Sequence, residues 1–401
     1  MSHRTPSQLC SSVLLIVQSQ QVTGTAHAVR TQYDYLHFTR AILLSLGLLL
    51  HGAWFCSDGN DGFKVLFDLI HSFRMESFFL IAGFFSAHTL CRLSPVNFLL
   101  RRSERLGIPL LFCGLTLTFL SHLLGHVRRG PPIVMLRESF PLDPGVHLWF
   151  LRILLFFVLT LFLLHLVWPG IDRGIKLLRI KPLVFLFALV GIRFFALHLT
   201  HLLVSDIWRF SCLPRDLEDA INYVPWLAGG YILFHHGELL GRLIDLVSFN
   251  VCNVAAFLLL QPFLERSGTG HHLMQIWQGA YILSICGLLF WFSRRFFSNP
   301  HPYVRSLSDA SYTIYLLHWP IMALLREFPF SRQAPNFLLF SSLTILTGVS
   351  CYGIHMAVVR RSPVWAWLLN GVPMPGGKPW NYLLPLANVL RPYLARKYRQ
   401  R

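Results

Sequence analysis

The 401-residue chain is 54% hydrophobic and only 13% charged, about half the charged fraction of a soluble domain, which excludes an ordinary water-soluble enzyme. Its net charge of +17 would suit nucleic acid, but the basic residues fall between apolar runs, so they read as topology signals and nucleic acid is not an expected partner. The eight cysteines (10, 56, 91, 113, 212, 252, 286 and 351) show no CxxC spacing, which argues against a structural metal site or a disulfide framework.

In chain order, residues 1–35 are mostly polar, and their one apolar run, at 11–17, is too short to cross a bilayer. A cleavage context is lacking after it, so the segment reads as a cytoplasmic tail or an over-long start. Ten apolar spans follow, at 36–55, 64–91, 106–126, 147–168, 182–204, 221–243, 246–263, 272–293, 311–326 and 336–359. The expected fold is therefore an all-α polytopic membrane protein of about ten transmembrane helices. With both termini inside, 22 Lys and Arg fall on the cytoplasmic side and 9 on the other, in keeping with the positive-inside rule. The domain plan is a tail at 1–35, a ten-helix domain at 36–360, and a basic tail at 361–401 whose tryptophans suit the inner membrane surface. Cys56 and Cys212 would share the outer side, where a bridge is open and unpaired thiols are the simpler expectation.

The first span carries Arg40 and, eleven residues on, His51. That spacing is three helical turns, so both share one face about 16 Å apart along the axis. An ionisable group at such depth either packs helices or serves a site, and this span alone does not decide. The second span is more polar, with Asp68, His71, Ser72, Arg74 and Glu76 crowded into it. Asp68, His71 and Ser72 share a face by the i, i+3, i+4 rule. A buried ion-pair network is the structural alternative, but the density of ionisable groups favours a site.

After the second span comes Arg101-Arg102-Ser103-Glu104-Arg105. Arg102 and Arg105, three apart on a helix, make a two-pronged cation that suits phosphate, although spacing alone fits a plain stop signal better. Later come His147-Leu-Trp149-Phe-Leu-Arg152, a lone intramembrane Arg193, and Ser311-Tyr312-Thr-Ile-Tyr315-Leu-Leu-His318-Trp319-Pro320. Ser311, Tyr315 and His318 line one face, and Pro320 kinks the helix beyond them. A lone His–Trp pair at an interface is commonly an anchor. The remaining histidines, His355 among them, read as packing or interface residues. GxSxG, Walker A, HExxH and EF-hand patterns are absent from the sequence.

Taken in order, Arg40…His51, FRMESFFLIAGFFS, RRSERLGIP, HLWFL and SYTIYLLHWP resemble the acyltransferase 3 family over about residues 33–360. HSFRMESFFLIAGFFS followed by RSERLGIP is similar to the branch associated with succinyl substitution of osmoregulated periplasmic glucans. The resemblance implies a multi-pass enzyme of the bacterial inner membrane. Its donor would be a cytoplasmic acyl-CoA, succinyl-CoA or acetyl-CoA, used as a substrate with no permanently bound cofactor and no metal. Its acceptor would be a periplasmic glucan, with glucan-biosynthesis membrane proteins as further partners. The family's span-one arginine and histidine map onto Arg40 and His51, its R-x-x-R onto Arg102 and Arg105, its span-two arginine onto Arg74 and its late histidine onto His318. His37 stands where the family usually has an aspartate, and Ala82 where it often has serine.

On this reading His51, Arg74 and His318 are the catalytic candidates, while Arg40, Arg102, Arg105, His71, Glu76 and Arg193 bind substrate. His51 acts as general base or carries the acyl group, and Arg74 or Arg193 faces the oxyanion or a free carboxylate. The rival reading is a transporter or flippase whose charges line a path. It predicts substrate movement without CoA release. A non-catalytic partner of a glucan-assembly complex would tolerate His51→Ala, and O-acetylation of another surface glycan is the competing reaction.

Overall fold

The computed structural model describes residues 34–57, 60–126, 148–177, 184, 187–195, 198, 215–267, 271–298, 302–326 and 335–373. The N-terminal tail before residue 34, His147, most of the expected fifth span, Cys212 with its possible bridge to Cys56, and the tail beyond residue 373 lie outside the described residues.

The described residues are helical, without strands. In chain order the helices are α1 (Asp34–Cys56), α2 (Asp61–Leu90), α3 (Pro95–His126), α4 (Trp149–Leu177), α5 (Arg215–His235), α6 (Gly237–Asp245), α7 (Val247–Ser267), α8 (His271–Phe296), α9 (Pro302–Arg326) and α10 (Asn336–Ile354). α10 runs into a π-helical turn, His355–Val359, and α11 (Pro363–Asn370) follows. By length and composition alone four helices can cross a membrane: Tyr35–Cys56, Trp149–Gly170, Met274–Phe296 and Asn336–Val359. The pair α6 and α7, bent by 65°, adds a fifth if it is one broken span. The protein is a multi-pass membrane protein.

The expected sixth span does not run as one helix. α5 stops at His235, and Gly237 opens a separate short helix. The sequence of α6, GELLGRLID, buries Leu239, Leu240, Leu243 and Ile244 and leaves Glu238, Arg242 and Asp245 exposed. It is a two-faced helix, apolar on the side packed against the bundle and charged on the other. Asp245 pairs with Arg294 at the end of α8, which ties α6 to the basic end of the bundle.

α1 is the hub, packed by α2, α8, α9 and α10. In lipid, apolar packing gives little preference among helix faces, so small residues and hydrogen bonds select the contacts. Thr39 Oγ1 donates to Ser293 Oγ at 2.8 Å, joining α1 to α8. Ser77 Oγ and Cys286 Sγ meet at 3.1 Å, and Ser72 Oγ and Tyr281 OH at 3.1 Å, joining α2 to α8. α2 and α5 touch backbone to backbone: a Cβ at Gly83 would collide with the Leu227 carbonyl, and one at Gly230 with the Leu80 carbonyl. Neither carbonyl can step aside as a side-chain tip can. Gly230→Ala is therefore expected to destabilise the fold by about 1–3 kcal/mol, read as an earlier loss of the monodisperse peak on heating in detergent. An unchanged profile would contradict the close approach.

Candidate active site

At the end of the bundle where α1 begins, three cations meet. Arg40 projects from α1, and Arg102 and Arg105 from consecutive turns of α3. The Arg40 Nε atom is buried with no hydrogen-bond partner among the described residues. Arg102 Nη2 donates to Thr89 Oγ1 at 3.2 Å, and the guanidinium lies 5.8 Å from the Phe98 ring. Burial first, then the positive fields of Arg105 and Arg40, holds the Arg102 pKa down to about 10. It stays cationic at neutral pH, in a neighbourhood that an anion would relieve.

His37 is exposed and stacks on Phe85 with ring centroids 4.4 Å apart, so it supplies no counter-charge to Arg40. The His37 carbonyl accepts a 3.3 Å hydrogen bond from Ser308 Oγ, which brings the next residue, Asp309, into electrostatic reach of Arg40. Asp309, itself exposed, is an acid within reach of Arg40 that comes from α9.

Following α1 from Arg40, about 16 Å along the axis, leads to His51, which is half-buried. Its ring centroid is 5.1 Å from that of His318 and 5.0 Å from Trp319, which meets it edge-on at 76°. His318 is buried, and its Nδ1 faces the carbonyl oxygens of Tyr315 at 2.6 Å and Ile314 at 3.2 Å. A carbonyl only accepts, so Nδ1 carries the hydrogen, and in the neutral ring Nε2 is the basic nitrogen. Trp54, Phe55 and Trp319 cap this end, with centroids 5.5 and 5.6 Å from Trp319. Trp319 thus packs against His51 on one side and the capping rings on the other.

Arg74 joins this group from α2. Its Nη1 occupies the space that a Cβ on Gly47 would need, one helical turn before His51. The bare glycine is what lets a guanidinium reach the α1 backbone. Tyr315, Tyr223 and Glu76 lie within its electrostatic reach. Arg74 Nε and Glu76 Oε2 are buried atoms without hydrogen-bond partners among the described residues. Arg193, only 8% exposed, donates to the Gln275 carbonyl at 2.8 Å and to Gln278 Oε1 at 3.1 Å, and Glu76 lies within its reach. It is thereby fixed to α8. His71 is exposed and stacks on Phe67 at 5.5 Å, outside the buried set.

The expected residues thus fall into a cationic end (Arg40, Arg102, Arg105), a histidine pair (His51, His318) reached by Arg74, and a flanking charge cluster (Glu76, Arg193). Asp309, Tyr223, Gln275 and Gln278 were not singled out from the sequence. Asp309 lies two residues before the Ser311–Pro320 motif and carries no motif of its own. The others come from segments remote in sequence and carry no motif.

The family model described as an acyltransferase domain, acyltransferase 3, matches residues 33–356. The chain belongs to the acyltransferase 3 family. It is a membrane O-acyltransferase. It is similar to glucans biosynthesis protein C of Escherichia coli (strain K12), 26% identical over 378 residues that cover 86% of this chain and 96% of that protein. It is similar also to glucans biosynthesis protein C of Salmonella agona (strain SL483), 26% identical over 376 residues, 84% of this chain and 94% of that one. No solved structure matches. The family match spans the helices that carry all three parts of the site, so this acyltransferase 3 enzyme holds its candidate groups within the matched region.

Proposed function

We propose that this acyltransferase moves a succinyl group from cytoplasmic succinyl-CoA to a hydroxyl of an osmoregulated periplasmic glucan. The observation that carries the reading is α1 itself. One straight element joins a cluster of three arginines to a pair of imidazoles about 16 Å away, a layout that suits a donor whose charged end and reactive end are far apart. In this reading the enzyme crosses the bacterial inner membrane about ten times with both termini inside, as the distribution of basic residues favours. The names of the relatives support a glucan acceptor, and membrane proteins of glucan assembly would be its partners.

Arg40, Arg102 and Arg105 hold the CoA phosphates, as paired guanidinium forks do. The acceptor hydroxyl is placed at the histidine pair. A neutral imidazole takes its proton as the oxygen attacks the thioester carbon. The carbon–oxygen bond forms, the tetrahedral oxyanion faces Arg74, and collapse breaks the carbon–sulfur bond. The proton held by the imidazole passes to the leaving thiolate, giving the ester and free CoA. The buried guanidinium of Arg74, whose Nε has no hydrogen-bond partner among the described residues, suits an acyl group with its own terminal carboxylate.

Mass spectrometry of periplasmic glucans tests this reading in cells lacking the gene, complemented with the wild type or with His51→Ala, alongside release of CoA by purified enzyme. Loss of the succinyl increment on deletion and its return with the wild type alone is expected. Glucans that never change would overturn the acceptor, an acetyl increment would overturn the acyl group, and substrate movement without CoA release would favour a transporter.

A further inference from the structure

We infer that α11 is a clamp that sets the Arg102–Arg105 turn, with Trp367 and Gly371 as positioning residues for the phosphate end of the donor. The inference rests on the donor-site reading above and adds to it a segment beyond the matched family region. From sequence the tail past residue 360 suited a membrane-surface segment. In the fold, α11 docks on α3.

The contact is specific at both ends of the helix turn it touches. Glu104, between the two arginines, is 3% exposed, and its Oε1 accepts from Trp367 Nε1 at 3.4 Å. Gly371 ends α11 in the left-handed region at φ +58°, where its N–H donates to the Trp367 carbonyl at 2.9 Å and the N–H of Val372 to that of Ala366 at 3.2 Å. A Cβ on Gly371 would meet the Cα and carbonyl oxygen of Arg105. Glycine is required there twice over, for its φ and for the approach to the Arg105 backbone.

The clamp is tied down behind. Thr313 Oγ1 donates to Asn370 Oδ1 at 2.9 Å and lies 2.8 Å from His355 Nδ1. With the hydroxyl hydrogen used on Asn370, His355 Nδ1 is the donor in the second bond. His355 opens the π-helical turn, a wider coil of the kind often found at functional sites. The next residue before Thr313, Tyr312, donates its hydroxyl to the Arg105 carbonyl at 3.3 Å. The arginine turn is thus held by α2 at Thr89, by α9 at Tyr312 and by α11 at Trp367 and Gly371.

The chemistry explains the need. A carboxylate flanked by two arginines is a ready internal competitor for the phosphates they are to bind. Residues one or two apart on a helix face different ways, and the indole N–H of Trp367 holds Glu104 on the α11 side. Released from it, the carboxylate can swing toward the guanidiniums and cancel their charge.

The test is equilibrium binding of coenzyme A to the purified full-length protein in lipid nanodiscs, with KM and kcat for succinyl-CoA measured in parallel. Trp367→Phe keeps an aromatic ring and removes the donor. It is expected to weaken coenzyme A binding and raise KM about tenfold with kcat within about twofold, the pattern of lost ground-state binding. Adding Glu104→Gln to Trp367→Phe is expected to restore binding, because an amide has no charge to lay across the arginines; a merely structural defect would not be rescued this way. Gly371→Ala is expected to weaken binding at least as much. Folded variants that bind coenzyme A as the wild type does would overturn the clamp. Wild-type protein that binds no coenzyme A would overturn the donor site and the clamp with it. Should Gly371→Ala fail to fold, the Trp367→Phe pair decides.

Discussion

His51→Ala is expected to lower the turnover of acyl transfer by about 10²–10⁴-fold, the usual worth of a positioned general base, with a folded yield close to wild type. The side chain is half-buried, so truncation leaves little unfilled core. The chemistry, in contrast, has few substitutes nearby. His318 is locked with its Nδ1 hydrogen on backbone carbonyls, so only its Nε2 can exchange a proton with substrate or with His51, whose ring is 5.1 Å away. His318→Gln is expected to fall in the same range. If the two rings act as one proton-handling unit, the double variant will be no slower than the worse single one. Full multiplication of the two losses would mean separate roles. Wild-type turnover by His51→Ala at matched protein levels would sink the mechanism.

Arg74→Ala is expected to cost both activity and stability. Turnover should fall about 10²–10³-fold, as for loss of one oxyanion donor. Stability should fall by about 1–3 kcal/mol, because Glu76 Oε2 is a buried atom with no hydrogen bond among the described residues and the carboxylate would lose one of its two nearby guanidiniums. Adding Glu76→Gln removes the stranded charge. The double variant should recover thermal stability in detergent while turnover stays low. Gly47→Ala separates the effects differently. The added methyl displaces only the flexible tip of Arg74, so stability should hold while turnover drops. Recovery of turnover by Glu76→Gln would show that Arg74 matters through the charge cluster and not through the reacting group.

Much of this site was legible because helical spacing is rigid. Arg40 and His51 had to share a face of α1, and Arg102 and Arg105 had to point together from α3, wherever those helices packed. A boundary that moved was equally local. The apolar run at 221–243 holds a helix end at His235 and a two-faced helix after it, which apolar content alone does not separate. Gly237 was the available sign of the break.

Pairings between helices could not be read this way. Nothing in the spacing says that His318, 267 positions after His51 in the chain, would bring its ring beside it, or that Asp309 would come within electrostatic reach of Arg40. Nor does it say that Gly371 would seat α11 on the arginine turn. By itself, the sequence determined the helical class, the membrane setting, the family and which residues ride together on each helix, because composition and a 3.6-residue period fix those. Only the tertiary structure decided which faces meet. In a membrane that choice rests on glycines, hydroxyls and single charges at particular heights, and their partners are named only once the helices are packed.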